Sequence, residues 1–155
     1  MELEFLREAI RLSIEKMEQG AGGPFGAVVV RDGQIIGRGW NQVTTAKDPT
    51  AHAEVMAIRA ACELLDTHDL SGCEIYASCE PCPMCFAAIH WARLTRLHFA
   101  ATSGDAAAAG FDDDVIRAEL SKPWHERILP SRQALRDEAV VAFQRGLAKA
   151  DRIPY

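Results

Sequence analysis

Three cysteines fall within seven residues in the stretch SCEPCPMC: Cys79, Cys82 and Cys85. Thiols at that density serve as a redox pair, a disulfide or a set of metal ligands. Cys82 and Cys85 are three apart, so in the first turn of a helix their sulfurs point to one side. Pro81 is well placed to open such a helix, and Pro83 is tolerated in its first turn, where backbone N–H groups lack partners in any case. The positive end of a helix dipole and a nearby metal both favour thiolate over thiol. A further nitrogen or sulfur ligand is needed. His52, at the head of another expected helix in DPTAHAEVMAIR, is the best candidate, with Glu54 two residues on. A thioredoxin-like pair would need no upstream H-x-E, and a structural zinc knot would take Cys79 as its fourth ligand. Spacing alone leaves both alternatives standing.

These residues need elements to hold them. Leu3, Leu6, Ile10, Ile14 and Met17 recur three to four apart among charged residues, which predicts an amphipathic helix ending near Gly20. FGAVVV predicts a buried strand, and RDG a tight turn into a second strand, QIIGRGW. Residues 41–51 read as loop, followed by a helix with Val55, Ile58, Ala61, Cys62 and Leu65 on one face. CEIYAS predicts a strand, CPMCFAAIHWAR a helix and RLHFAA another strand. The order α-β-β-α-β-α-β is that of an α/β fold, a central sheet flanked by helices. Beyond Gly104, AAAAGFDDD reads as a loop leading into a short helix over VIRAEL. Ser131 is positioned to cap a last helix on which Leu135, Ala139, Phe143 and Leu147 share a stripe. No repeat, low-complexity tract or linker interrupts the chain, so residues 1–155 are expected to form a single domain.

Composition narrows the function. A chain of 155 residues buries enough apolar surface to fold without disulfides. No run approaches the roughly 20 apolar residues that cross a bilayer, and MELEFLREAIR lacks a signal-peptide profile. Five cysteines, an odd number, fit metal or redox work in a reducing cytoplasm better than a secreted framework. Seventeen Lys and Arg against 22 Asp and Glu give a net charge of -5, with the basic residues scattered. Polyanion binders show a basic stripe, so the composition argues against a nucleic-acid partner.

His52-Ala53-Glu54 followed by PCPMC resembles the zinc-dependent nucleobase deaminases of the cytidine-deaminase superfamily, whose signature is H-x-E…P-C-x-x-C. GGPFGAVVV, NQVTT, DPTAHAEVMAIR, SCEPCPMC, WAR and AGFDDD carry the likeness on to the bacterial guanine deaminases of that superfamily. The resemblance implies a three-layer α/β/α fold around a mixed five-stranded sheet. It implies one zinc per subunit on His52, Cys82 and Cys85, an open fourth position, and Glu54 as the proton shuttle. Cys79, which the family pattern does not use, becomes a packed thiol, and Cys62 and Cys73 core residues. The expected reaction is guanine and water to xanthine and ammonia.

The resemblance also implies how the base is held. Asn41 would read the purine with its amide, Phe25 would stack on it, and Asp113 would accept hydrogen bonds from the N–H groups of guanine. Trp91 would form a pocket wall. In a homodimer, the segment from about residue 118 to 155 would cross to the partner subunit, where Tyr155 helps close the site. Each residue also has an ordinary reading: Asn41 as a turn residue, Phe25 and Trp91 as packing, Asp113 as one of three solvated aspartates, Tyr155 as a frayed terminus. The histidines at 68, 90, 98 and 125 read as surface or core residues. Rival functions are a deaminase for cytosine or an amino-triazine, a tRNA adenosine deaminase, which should carry a basic face, and a non-catalytic zinc module that binds a partner protein.

Overall fold

The apolar stripe at the start of the chain folds as α1 (Leu3–Glu18), although the face it buries is centred on Phe5, Ala9 and Leu12. Leu3, Ile14 and Met17 stay exposed. Close approach explains the rotation. A Cβ on Gly26 would lie 2.3 Å from the Ala9 carbonyl oxygen, so α1 seats its smallest residue directly on the sheet. The computed structural model describes residues 2–154.

The hairpin forms as β1 (Gly26–Arg31) and β2 (Gln34–Trp40), joined through Asp32 and Gly33, both left-handed in φ, as a two-residue turn between twisted strands requires. With β3 (Glu74–Cys79) and β4 (Arg96–Ala101) they make a mixed sheet in the order β2-β1-β3-β4. Only the β3–β4 pair is parallel. Side chains alternate across it. Val28, Val30 and Tyr76 face Phe5 and Leu12 of α1. Ala27, Val29, Ile75 and Ala77 face α3 (Ala53–Leu65) and α4 (Pro83–Trp91), where Ala53, Ala57, Ala61, Ile89 and Ala92 complete the core. Val28, Val29 and Ile75 are fully buried, each worth about 1.5–3 kcal/mol of apolar transfer. The three-layer α/β/α architecture is therefore as expected.

The strand count is not. Among the described residues the sheet has four strands rather than five, with β4 at its edge. After Ala101 the chain turns at once into α5 (Ser103–Ala108), where Thr102 and Asp105 form a reciprocal capping box. That helix replaces part of the expected loop, and α2 (Val43–Ala46) occupies part of the loop expected over 41–51.

The chain divides into two compact units, Met1–Asp114 and Val115–Tyr155. The first contains the sheet and all five helices named so far. The second contains most of α6 (Asp114–Leu120), a 3-10 turn at Trp124–Glu126 and α7 (Arg136–Ala148). Ser131 does not cap α7. Its hydroxyl donates to the Leu129 carbonyl, and α7 is entered through Leu135 at φ 54°. Every described residue from 115 to 154 is exposed or half-buried.

Candidate active site

Two helix heads meet beyond the end of β3. His52 is the N-cap residue of α3 and Cys82 that of α4, each with extended backbone and neither capping its helix through its side chain. Pro83, not Pro81, is the first helical residue of α4, because Cys82 stays outside the helix. Cys85 lies in the first turn and is fully buried. The His52 Nδ1 is 3.6 Å from the Cys82 Sγ and 3.6 Å from the Cys85 Sγ. A tetrahedral zinc with bonds of about 2.3 Å to sulfur and 2.0–2.1 Å to nitrogen sets its N and S ligands about 3.6 Å apart. The donor set fits the ion in type and in spacing. Among the described residues these three form the one cluster of His, Cys, Asp or Glu ligand atoms within 4.8 Å of one another. Cys79 is outside it, its thiol turned to the Thr102 carbonyl at 3.4 Å. Three protein ligands leave one tetrahedral position over, the mark of a catalytic rather than a structural zinc.

The charges suit a cation. The hydrogen bond from Cys85, with help from His52, holds the Cys82 thiol down to about 4. The same contact with Cys82, together with burial and Glu54, pushes the Cys85 thiol up. Contact with Cys82 also raises the His52 imidazole. Cys82 is thus the favoured thiolate at the head of α4, and a divalent ion would remove the competition between the two thiols. Glu54, in the first turn of α3, is 8% exposed, and burial pushes its carboxyl up from the ordinary 4.5. Glu54 and the Cys85 thiol each influence the other's protonation, which puts the carboxyl beside the ligand cluster.

Residues 1–101, which contain all four of these groups, match the family described as the cytidine and deoxycytidylate deaminase zinc-binding region. The chain belongs to that deaminase family. Its likeness to guanine deaminase from Bacillus subtilis is 53% identity over 140 residues, 90% of this chain and 90% of the other. The X-ray structure of guanine deaminase from that organism matches with a TM-score of 0.97 at 49% identity, over 100% of this chain and 99% of that one. The tRNA-specific adenosine deaminase of Aquifex aeolicus is 44% identical over 97 residues, which is 63% of this chain and 64% of that protein. The zinc motif is common to the family; the guanine deaminase likeness also takes in the C-terminal unit.

Around this deaminase centre the remaining candidates divide. Asn41, directly after β2, is half-buried; its N–H donates to the Phe25 carbonyl at 3.0 Å, and its Oδ1 accepts from the Val43 N–H at 3.3 Å. Phe25 packs against the α3-side core and meets the Phe111 ring edge-on, centroids 5.0 Å apart. Asp113 is half-buried, one residue before α6. Trp91 is the last residue of α4, roughly 13 Å of helix rise from Cys82, and 69% exposed in the single chain. Tyr155 lies outside the described residues. No other histidine joins the ligand cluster among the described residues: His98, for one, pairs with Glu74 at 2.9 Å and stacks on Tyr76.

Two features escaped sequence reasoning. Phe111 partners Phe25, and nothing in AAAAGFDDD sets that phenylalanine apart from a loop residue. Glu80 accepts a hydrogen bond from the Ser103 N–H at 2.9 Å, tying the PCPMC loop to α5, and the T-x-x-D capping pattern of Thr102 and Asp105 was the legible signal for that helix. A cavity of about 240 Å³ opens between α1 and α5, lined in part by Ser13, Phe25, Ser78, Cys79 and Phe111. None of the metal-binding groups lines it.

Proposed function

We propose that this chain hydrolyses guanine to xanthine and ammonia, with zinc held by His52, Cys82 and Cys85 and with Glu54 moving the protons. The observation that carries the reading is the equal 3.6 Å spacing of the His52 nitrogen from both sulfurs, beside a buried carboxyl in the first turn of the same helix. Zinc, when bound, lowers the pKa of a water toward about 7 and so supplies a nucleophile at neutral pH. Glu54 would accept a proton from the attacking water as the water oxygen adds to C2 of the base. It delivers that proton to the adjacent ring nitrogen, then takes a second from the new C2 hydroxyl and passes it to the amine, which leaves as ammonia as the C2 carbonyl forms. One carboxyl serves every transfer, and a carboxyl whose pKa is raised by burial holds and releases protons closer to neutral pH than a solvated one. Asn41 offers amide hydrogen bonds to the base, Phe25 an aromatic surface, and Asp113 an acceptor for guanine N–H groups.

The C-terminal unit fits a homodimer in which this segment crosses between subunits. Trp124, Ile128, Leu129, Leu135, Phe143 and Leu147 are each at least 66% exposed, apolar surface that a partner would bury. Tyr155 would then help close the partner's site. Removing residues 152–155 should leave the dimer and the zinc content intact while lowering kcat/KM for guanine at least about 10-fold through lost water exclusion. Sedimentation and ammonia release measure both, and unchanged turnover would dispose of the lid. Five free cysteines fit a reducing cytoplasm, and the reaction a role in purine breakdown.

The deciding assay is ammonia release by the zinc-replete protein against guanine, cytosine, adenine, their nucleosides and a tRNA stem-loop. Guanine should be preferred by several orders of magnitude. Preference for the stem-loop would move the chain to the RNA-editing deaminases, and release from none of them would leave a zinc-binding interaction module.

A further inference from the structure

The loop between α1 and β1 contains two consecutive glycines, and a side chain on either would strike Asn41 first. A Cβ on Gly22 would lie 1.6 Å from the Asn41 carbonyl oxygen. A Cβ on Gly23 would lie 3.2 Å from the Asn41 Oδ1 and 3.3 Å from its Cγ, but an ordinary 3.7 Å from its Cβ. The first contact concerns the Asn41 backbone. The second concerns the amide itself and almost nothing else of that residue.

Other bonds surround the same side chain. The Asn41 N–H donates to the Phe25 carbonyl, two residues beyond Gly23, and its Oδ1 accepts from the Val43 N–H. The amide thus lies across the space that a Gly23 side chain would enter, and its oxygen is tied to the Val43 N–H. With the oxygen already accepting one bond, Nδ2 has two N–H donors to offer an acceptor on a bound base. A reading group held by its surroundings before substrate arrives loses less freedom on binding.

We infer that Gly23 is a positioning residue for base recognition: its bare α-carbon sets the pose in which Asn41 presents its amide. This rests on the assignment of Asn41 to the base, and the experiment separates the two.

The test is a double-mutant cycle of Gly23→Ala and Asn41→Ala, with kcat and KM for guanine, zinc content and Tm measured on each variant. The added methyl needs the amide to yield by only a few tenths of an ångström. Misplacement of that size at a substrate-orienting group should lower kcat/KM for guanine about 5–10-fold, mainly through KM. Zinc content and Tm should hold. In the Asn41→Ala background the Cγ and Oδ1 are gone, so adding Gly23→Ala should cost less than about 2-fold. Gly23→Val, with a larger group at the same place, should exceed Gly23→Ala in the parent.

An Asn41→Ala variant with parental guanine kinetics would remove Asn41 from the base and this inference with it. A weakened Asn41→Ala beside a silent Gly23→Ala, or equal losses from Gly23→Ala in both backgrounds, would overturn the role of Gly23 alone. Should Gly23→Ala fail to fold, the double variant decides. Its recovery would confirm that the amide is what the methyl strikes, and its failure would assign Gly23 to the loop backbone instead.

Discussion

Glu54→Gln separates proton transfer from everything else this centre does. The parent carboxyl is 8% exposed, in the first turn of α3, beside Cys85. Glutamine keeps its shape and its hydrogen-bonding reach but cannot accept a proton from water. A positioned acid–base group contributes about 10²–10⁴-fold, or about 3–5 kcal/mol of barrier. Because one carboxyl serves both the addition of water and the expulsion of ammonia, the loss in kcat should fall at the upper end, about 10⁴-fold. Steady-state ammonia release measures it, with zinc content determined on the same sample and expected to stay near the parental value. A second readout checks that the side chain is as buried as the structure has it. Burial raises the folded-state pKa of Glu54 above 4.5, so the stability tied to its protonated form is complete below the unfolded value and is lost as pH rises through the folded one. Glutamine has no such loss. In zinc-stripped protein, Glu54→Gln should therefore gain in Tm over the parent as pH rises above about 4.3. Turnover within 10-fold of the parent, with zinc retained, would remove Glu54 from the chemistry, and loss of zinc and fold together would make it a structural residue.

Other perturbations test the frame around the centre. A Cβ on Gly39 would lie 2.1 Å from the Ala53 carbonyl oxygen. Gly39→Ala should therefore push the head of α3 away, costing about 3 kcal/mol or more by thermal denaturation and lowering zinc occupancy through His52. Glu8 on α1 is held near a pKa of about 2 by hydrogen bonds from Arg11 and then Arg38, the latter on β2. Its contribution is present above pH 4.5 and lost as pH falls toward 2. Both guanidinium groups are more than half exposed, so Glu8→Gln should lower stability at pH 7 by only about 0.5–1 kcal/mol, and urea midpoints should converge with the parent by about pH 2–3. Cys85→Ser and Cys82→Ser should each abolish zinc retention on gel filtration; the first should also lose more Tm, because Cys85 is fully buried and Cys82 half-buried.

The parts of the molecule that were legible in the sequence are those in which a local rule and the global fold agree. The Asp32-Gly33 turn fixes the hairpin, and the H-x-E and C-x-x-C pairs mark two helix heads. The apolar stripe of α1 gave the helix but not its buried face, because the close seat of Ala9 over Gly26 depends on a residue 17 positions away. The C-terminal unit was the least legible. A segment with no buried residue of its own does not reveal through its periodicity which surface its apolar side chains meet.

The two helix starts at the centre depart from a rule that a third, nearby start obeys. N-cap positions favour Ser, Thr, Asp and Asn, whose side chains satisfy unpaired N–H groups, worth typically about 1 kcal/mol each. Thr102 does this for α5, completing a capping box with Asp105. His52 and Cys82 do not: both stand at N-cap positions with no side-chain cap. Their backbones are extended, so both side chains project beyond the helix ends toward each other, and the Nδ1 and Sγ come to 3.6 Å. Residues two apart inside a regular helix diverge, whereas an N-cap residue and the second helical residue can serve one point in space. That is how His52 and Glu54 attend the same centre. Capping energy is given up at these two starts, where the side chains are committed to the metal, and kept at the neighbouring start that only has to hold a helix.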